Sequence, residues 1–182
     1  MQSFSTVFFS DNSTLSLPAF NKSRLAIAVF DISPMEPELM FNVNENYDYI
    51  YSDKNRLKFY ELFYNSIIDS AVTHNADVWI KPKRSSRLLR HDYLDLLDKL
   101  SGEKNVNVIP SEISAFRLID QSDGAIVQPF TSPGYYIESS TPITFYDPLG
   151  LIQSSTTQAY GQHICFNSTD LNIWFEKLPN KP

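Results

Sequence analysis

The 182-residue chain is 42% apolar and 14% aromatic with only 5 glycines, so a packed fold is expected and a disordered chain is not. Its net charge of −6 argues against a general nucleic-acid or anionic-membrane binder, although a local basic cluster can still hold a phosphate. The single cysteine, Cys165, excludes an internal disulfide and a thiolate metal site, and a reducing, cytoplasmic compartment fits best.

One domain is expected at this length, residues 25–182, preceded by a connector or interdomain segment over residues 1–24. No apolar run approaches the roughly 20 residues that a bilayer requires. Met1 to Ser5 lacks the basic start of a signal peptide. Any work at a membrane is therefore expected from its cytoplasmic face, through partners or a lipid-linked substrate.

In chain order, Thr6 to Phe9 reads as an edge strand or interdomain segment, followed by a polar stretch ending at Arg24. Leu25 to Phe30 is the continuous apolar run of a parallel strand covered on both faces. Pro34 and Pro37 forbid an immediate helix, so Asp31 and Ser33 project from that strand's carboxyl end. Residues 35–53 read as a loop in which Tyr47, Tyr49 and Tyr51 alternate as a short strand would.

From Asn55 the pattern turns helical, with Tyr60, Phe63, Tyr64, Ile67, Ile68 and Ala71 on one stripe and Ser52 or Asp53 as cap. A strand over 78–81 leads at once into Lys81, Pro82, Lys83, Arg84 and Arg87. A helix through Tyr93, Leu96, Leu97 and Leu100 then ends at Gly102. The strand at 106–109 closes on Pro110, and Ser111 is expected to cap a helix through Ile113, Phe116 and Ile119. Further strands fall at 125–128, 143–146 and 163–166, and a last helix at 170–178. Alternation of this kind predicts an α/β fold, a Rossmann-like open and mostly parallel sheet with helices on both faces.

About a dozen residues separate the strands at 125–128 and 143–146, which suits a parallel crossover better than a hairpin. The segment Pro129, Phe130, Thr131, Ser132, Pro133, Gly134 thus follows a strand's carboxyl end. There, hydroxyls and helix amides can surround a phosphate. The alternative is plain capping, with Ser132 as N-cap and Pro133 at the first helical position.

Lys81, Lys83, Arg84 and Arg87 gather cations directly after a buried strand in an acidic chain, as an anionic ligand would need. A solvated basic loop explains the same composition. If the strand continues, Lys81 and Lys83 alternate in direction and only one faces the site. Asp147 lies at another strand end, placed to orient a ligand or to cap the loop after it. Glu112 is expected in a helix's first turn, where its charge complements the dipole by about 0.3–1 kcal/mol whether or not it binds anything.

The run Pro129, Phe130, Thr131, Ser132, followed one crossover later by Tyr146, Asp147, Pro148, resembles the bacterial surface-polysaccharide biosynthesis proteins named for their P-F-T-S motif. Those look like relatives of capsule glycosyltransferases, including enzymes that transfer 3-deoxy-manno-octulosonic acid from a CMP-activated donor. Lys81, Pro82, Lys83, Arg84 matches their K-P-K-R segment. Asp31 resembles the aspartate ending their first strand, and Val108 to Glu112 resembles a segment lying against base and ribose.

The resemblance spans residues 25–150 and implies a GT-B glycosyltransferase, in which this chain is the carboxyl-terminal, nucleotide-sugar-binding half. Asp31, Lys81, Lys83, Arg84, Glu112, Pro129, Thr131, Ser132 and Asp147 are then the candidate donor-binding residues, with no cofactor or metal. It also implies a glycan or lipid-linked acceptor and an amino-terminal acceptor half, with the catalytic base, supplied by another segment or subunit.

Two rival readings remain at this level. A scaffold subunit of a polysaccharide assembly complex would keep the fold without turnover. A flavodoxin-like regulatory domain would place Asp31 beside a metal or phosphorylation pocket. The dinucleotide fingerprint G-x-G-x-x-G, a Walker loop and the hydrolase elbow G-x-S-x-G are all absent, and His74, His91 and His163 stand at no metal-ligand spacing.

Overall fold

Six successive apolar residues, Leu25–Phe30, form strand β1, and every one of them is buried. Such a strand needs cover on both faces, and the rest of the chain supplies it. The computed structural model describes residues 15–17, 19–34, 56–83, 85–129, 131–136, 139–150 and 163–179. Helix α1 (Arg56–Thr73) is followed by β2 (Ala76–Ile80), α2 (His91–Ser101), β3 (Val106–Val108) and α3 (Ala115–Gln121). Strand β4 (Gly124–Val127), β5 (Ile143–Tyr146), β6 (His163–Cys165) and helix α4 (Ser168–Glu176) complete the order.

The strands make one sheet in the order β3-β2-β1-β4-β5-β6, with every pair parallel. The chain winds outward from β1 to β3, then returns to the middle and winds the other way from β4. The reversal leaves a crevice between the carboxyl ends of β1 and β4, where crossovers depart to opposite faces. The arrangement is the Rossmann-like one expected from the alternation of elements. Its order separates it from the flavodoxin-like rival, in which β1 and β3 would be neighbours.

One face is covered by α1, α2 and α4. The stripe Phe59, Tyr60, Phe63, Tyr64, Ile67 and Ala71 lies against Ile27, Val29, Val78, Ile80 and Ile126. Each such side chain contributes about 1.5–3 kcal/mol on full burial, far more than the helix propensity of these aromatic positions costs. The opposite face packs Ala28, Phe30, Trp79 and Val127 against Leu118 and Ile119 of α3, with Leu17 and Phe20 at its margin. The end of the expected connector is thus docked on the sheet: Phe20 meets Trp79 edge-on, with centroids 4.6 Å apart, and Arg117 donates to the Leu15 carbonyl.

At the amino rim, Arg24 donates to Asp77 at 2.6 Å and to Asn75 at 2.9 Å, while Asp123 accepts the Ala26 N–H at 2.8 Å. Asn75 adopts a φ of 52°, a left-handed turn that asparagine tolerates better than most residues. These contacts lock the strand starts away from the carboxyl rim.

Two expected helix starts are corrected. Ser114, not Ser111, caps α3, its hydroxyl accepting the Arg117 N–H, because Pro110 and the turn after it delay the helix. After β4 the chain makes a 3-10 turn, Ser132–Tyr135, whose N-cap is Thr131 without a side-chain capping bond. Ser132 is therefore not the N-cap. Gly134 explains the tight path, since a Cβ there would lie 2.4 Å from Phe145 Cε1 and 2.9 Å from Val127 Cγ2. The expected strand at Thr6 to Phe9, the tyrosine alternation at 47–51 and the cap at Ser52 or Asp53 lie outside the described residues. Among the described residues, no helix is long and apolar enough to cross a membrane.

Candidate functional site

Three strands end at the carboxyl rim beside the crevice, each stopped by proline nearby: Pro34 after β1, Pro82 after β2 and Pro129 after β4. The segments leaving them converge on a cavity of about 180 Å³ lined by Asp31, Lys81, Lys83, Ala115, Thr131 and Ser132, among others. Strands β1, β2 and β4 are adjacent in the sheet, so residues far apart in the chain meet at one rim.

Lys81 continues the ladder for one residue, its N–H donating to Val29 at 3.0 Å. Its side chain is only 8% exposed. Burial pushes the ammonium's pKa down, while the carboxylates of Glu112 and Asp31 pull it back up. Its Nζ donates to the Pro82 carbonyl at 3.3 Å, a neutral and long bond for a group with three donors. Lys83 is exposed at the mouth of the same cavity, so the expected alternation fails: the strand stops at Ile80 and both lysines line one space. Arg84 lies outside the described residues.

Thr131 is 1% exposed, and its hydroxyl donates to the Gln128 carbonyl at 2.7 Å. That bond closes the turn and commits the Thr131 proton. Ser132 is exposed, and among the described residues neither its N–H nor its hydroxyl has a partner. Pro129 is buried beside the turn and does not line the cavity.

Glu112 sits in a turn before α3 rather than in its first turn, and is exposed. It borders a neighbouring depression of about 540 Å³ between α2 and the end of β3, together with Leu94, Leu97, Asp98, Pro110 and Ser111. Asp147 lies past β5 at the same rim, buried, its N–H donating to the Cys165 carbonyl at 2.8 Å. It is not part of the cavity wall.

Asp31 is 2% exposed and its carboxylate is enclosed by hydroxyls. Tyr64 of α1 and Tyr93 of α2 each donate to Oδ2 at 2.6 Å, and Ser33 donates to Oδ1 at 2.7 Å. Burial pushes the Asp31 carboxyl up, and those donors oppose it. Both phenols are pushed well above their ordinary range, first by burial and then by the Asp31 charge. Held this way, both Asp31 oxygens are engaged by hydroxyl donors. Among the described residues, no three His, Cys, Asp or Glu side chains could hold a metal ion together.

Sequence reasoning missed Tyr64, Tyr93 and Gln128. The tyrosines fall on apolar helix stripes and read as core, although a buried phenol needs a polar partner and thereby points to one. Gln128 is wholly buried where β4 ends, its Oε1 accepting the Ile32 N–H at 2.8 Å, while its Nε2 has no partner among the described residues. Cys165 is inert: burial pushes its thiol up to about 11, and it packs against Thr144 and His163.

Fold and rim together define an open, parallel α/β protein of Rossmann-like order with a lysine-lined cavity at its switch point. Residues 3–175 match the family model described as polysaccharide biosynthesis PFTS motif protein. The chain belongs to that family, and its setting is polysaccharide biosynthesis. No curated protein and no solved structure matches it.

Proposed function

We propose that this chain is the donor-binding half of a glycosyltransferase of bacterial surface-polysaccharide biosynthesis, taking a CMP-activated sugar at the switch-point cavity. The partner half of the GT-B arrangement supplies the acceptor site, for a glycan or lipid-linked acceptor at the inner face of the membrane, and the catalytic base.

The observation that carries this reading is the buried Lys81 ammonium in the cavity wall, with Lys83 and the open Ser132 beside it. Lys81 has no salt-bridge partner among the described residues, and burying a cation in that state costs stability that an anionic occupant offsets. Lys81 and Lys83 neutralise the donor phosphate, each charge-assisted hydrogen bond contributing about 1.5–3 kcal/mol. The N–H and hydroxyl of Ser132 hold phosphate oxygens, and Thr131 keeps the turn in shape. Glu112 faces the ribose from the adjoining depression.

Chemically, the residues act on the leaving group. As the glycosidic carbon departs from the donor phosphate, negative charge grows on the nucleotide. Fixed ammonium and amide donors stabilise that charge in the transition state without forming a covalent bond.

Titration calorimetry with CMP, UDP and GDP tests the reading, with CMP expected to bind tightest. Lys83→Ala combined with Ser132→Ala is expected to weaken CMP binding at least tenfold, about 1.4 kcal/mol. Unchanged affinity in the double variant would show the phosphate site to be misplaced. Binding of none of the three nucleotides would favour the scaffold subunit instead.

A further inference from the structure

At the rim, the Ser33 hydroxyl joins the loop after β2 to the buried carboxylate of Asp31. Ser33 Oγ accepts the backbone N–H of Lys83 at 2.7 Å and donates its own proton to Asp31 Oδ1 at 2.7 Å. Lys83 belongs to the loop after β2 and lines the cavity. On its other oxygen, Asp31 takes the protons of Tyr64 and Tyr93, which reach it from α1 and α2. A carboxylate accepts only, so three hydroxyl protons pointed at its two oxygens fix the direction of each bond. Ser33 then gives its proton to Asp31 while its oxygen accepts the Lys83 N–H.

Asp31 also borders the cavity, yet a carboxylate facing a phosphate repels it. Its contribution to an anion site has to be indirect. We infer that Asp31 and Ser33 are positioning residues for anion binding: the buried carboxylate orients Ser33, and Ser33 fixes the backbone at Lys83. The lysine loop is thereby held at the cavity before a ligand arrives. Preorganisation of this kind raises affinity by lowering the ordering cost of binding. The inference rests on the donor-site reading above and adds to it the group that sets the loop.

The test compares Ser33→Ala, Ser33→Thr and Arg24→Ala with the wild type. Arg24 is bonded at the amino rim, so its variant controls for a general loss of stability. CMP and inorganic phosphate are titrated calorimetrically, and the Lys83 amide is followed by nitrogen-edited NMR for shift and hydrogen exchange. Ser33→Ala is expected to weaken CMP binding about tenfold, to move the Lys83 amide resonance upfield and to speed its exchange. Ser33→Thr, which keeps the hydroxyl, is expected to restore the affinity. Arg24→Ala is expected to melt earlier with unchanged affinity.

Wild-type affinity in Ser33→Ala overturns the inference alone, as does a parallel loss in Arg24→Ala. A wild type that binds neither CMP, UDP, GDP nor phosphate overturns the donor-site reading, and this inference with it. Should Ser33→Ala fail to fold, Asp31→Asn is read in its place. Turning the amide oxygen to the two tyrosines points its NH₂ at Ser33, which loses the acceptor that orients its hydroxyl. A loss of CMP affinity in the folded variant then supports the inference, and an unchanged affinity overturns it.

Discussion

The hydroxyls of Tyr64 and Tyr93 lie 3.3 Å apart, although 29 positions and two different helices separate the residues. Phenols come this close because both donate to one carboxylate oxygen, that of Asp31. Two helices that pack through apolar stripes are thereby also held in register by a polar contact. A slip of either helix would leave a charge unpaired in the core, which is costlier than a slip of apolar side chains alone.

Replacing either tyrosine by phenylalanine keeps the ring and removes one donor. Each single variant is expected to lose about 1.5–3 kcal/mol of unfolding free energy, the range for hydrogen bonds to charged groups. The double variant should lose more than the sum, because the first removal leaves Asp31 Oδ2 with one donor and the second leaves it with none. Urea unfolding of the four proteins measures this; strict additivity would mean that the two bonds do not share an acceptor.

Asp31 makes stability depend on pH in a defined direction. Its folded pKa lies above the unfolded value of 3.8, so between the two the folded chain holds more protons. That contribution to stability is fully present below the unfolded value and is lost as pH rises through the folded one. Asp31→Asn carries no such titration. Its melting temperature relative to the wild type should therefore rise as the pH climbs from 3.8 through the folded value. A relative fall across this window would mean that the hydroxyl donors outweigh burial.

Much of the fold was legible because parallel strands advertise themselves as short apolar runs. Leu25–Phe30 and Ile143–Tyr146 fall where the pattern puts them, and the other strands differ by one or two residues. The two helix starts that differ from the local pattern share a cause. Ser111 and Ser132 are good capping types beside proline, but local chemistry cannot see that Pro110 is followed by a turn or that Phe145 crowds Gly134. The lysines of the rim were legible as a charge cluster after a strand. Their polar support was not, because Tyr64 and Tyr93 satisfy the helix period as well as any apolar residue would. Only the convergence of three elements reveals what their hydroxyls are for.

Lys81 carries a second pH-dependent signature. Burial lowers its folded pKa beneath the ordinary 10.5, so the unfolded chain holds the extra proton over that interval and wild-type stability rises with pH across it. Lys81→Met keeps the length of the side chain and removes the charge. At neutral pH it is expected to melt at or above the wild-type temperature while binding CMP at least tenfold more weakly, about 1.4 kcal/mol. Joint loss of stability and binding would mark Lys81 as a structural residue instead.

Gly134→Ala tests the turn after β4. The backbone there does not demand glycine, since the described glycine with positive φ is Gly150. A methyl group would meet the Phe145 ring and Val127, both buried, so the cost is steric. A destabilisation of about 1–3 kcal/mol is expected from forcing an extra carbon into a packed core. Combining it with Phe145→Leu should recover part of the loss in a thermal melt, and no recovery would place the strain elsewhere.

Among the described residues the outermost strands of the sheet are β3 and β6, each of three residues. Borders this brief present few main-chain donors and acceptors to a foreign strand, so recruitment of further copies into an extended ribbon finds little purchase. Strands rich in β-branched and aromatic residues, such as Ile143–Tyr146, lie inside the sheet and away from those margins.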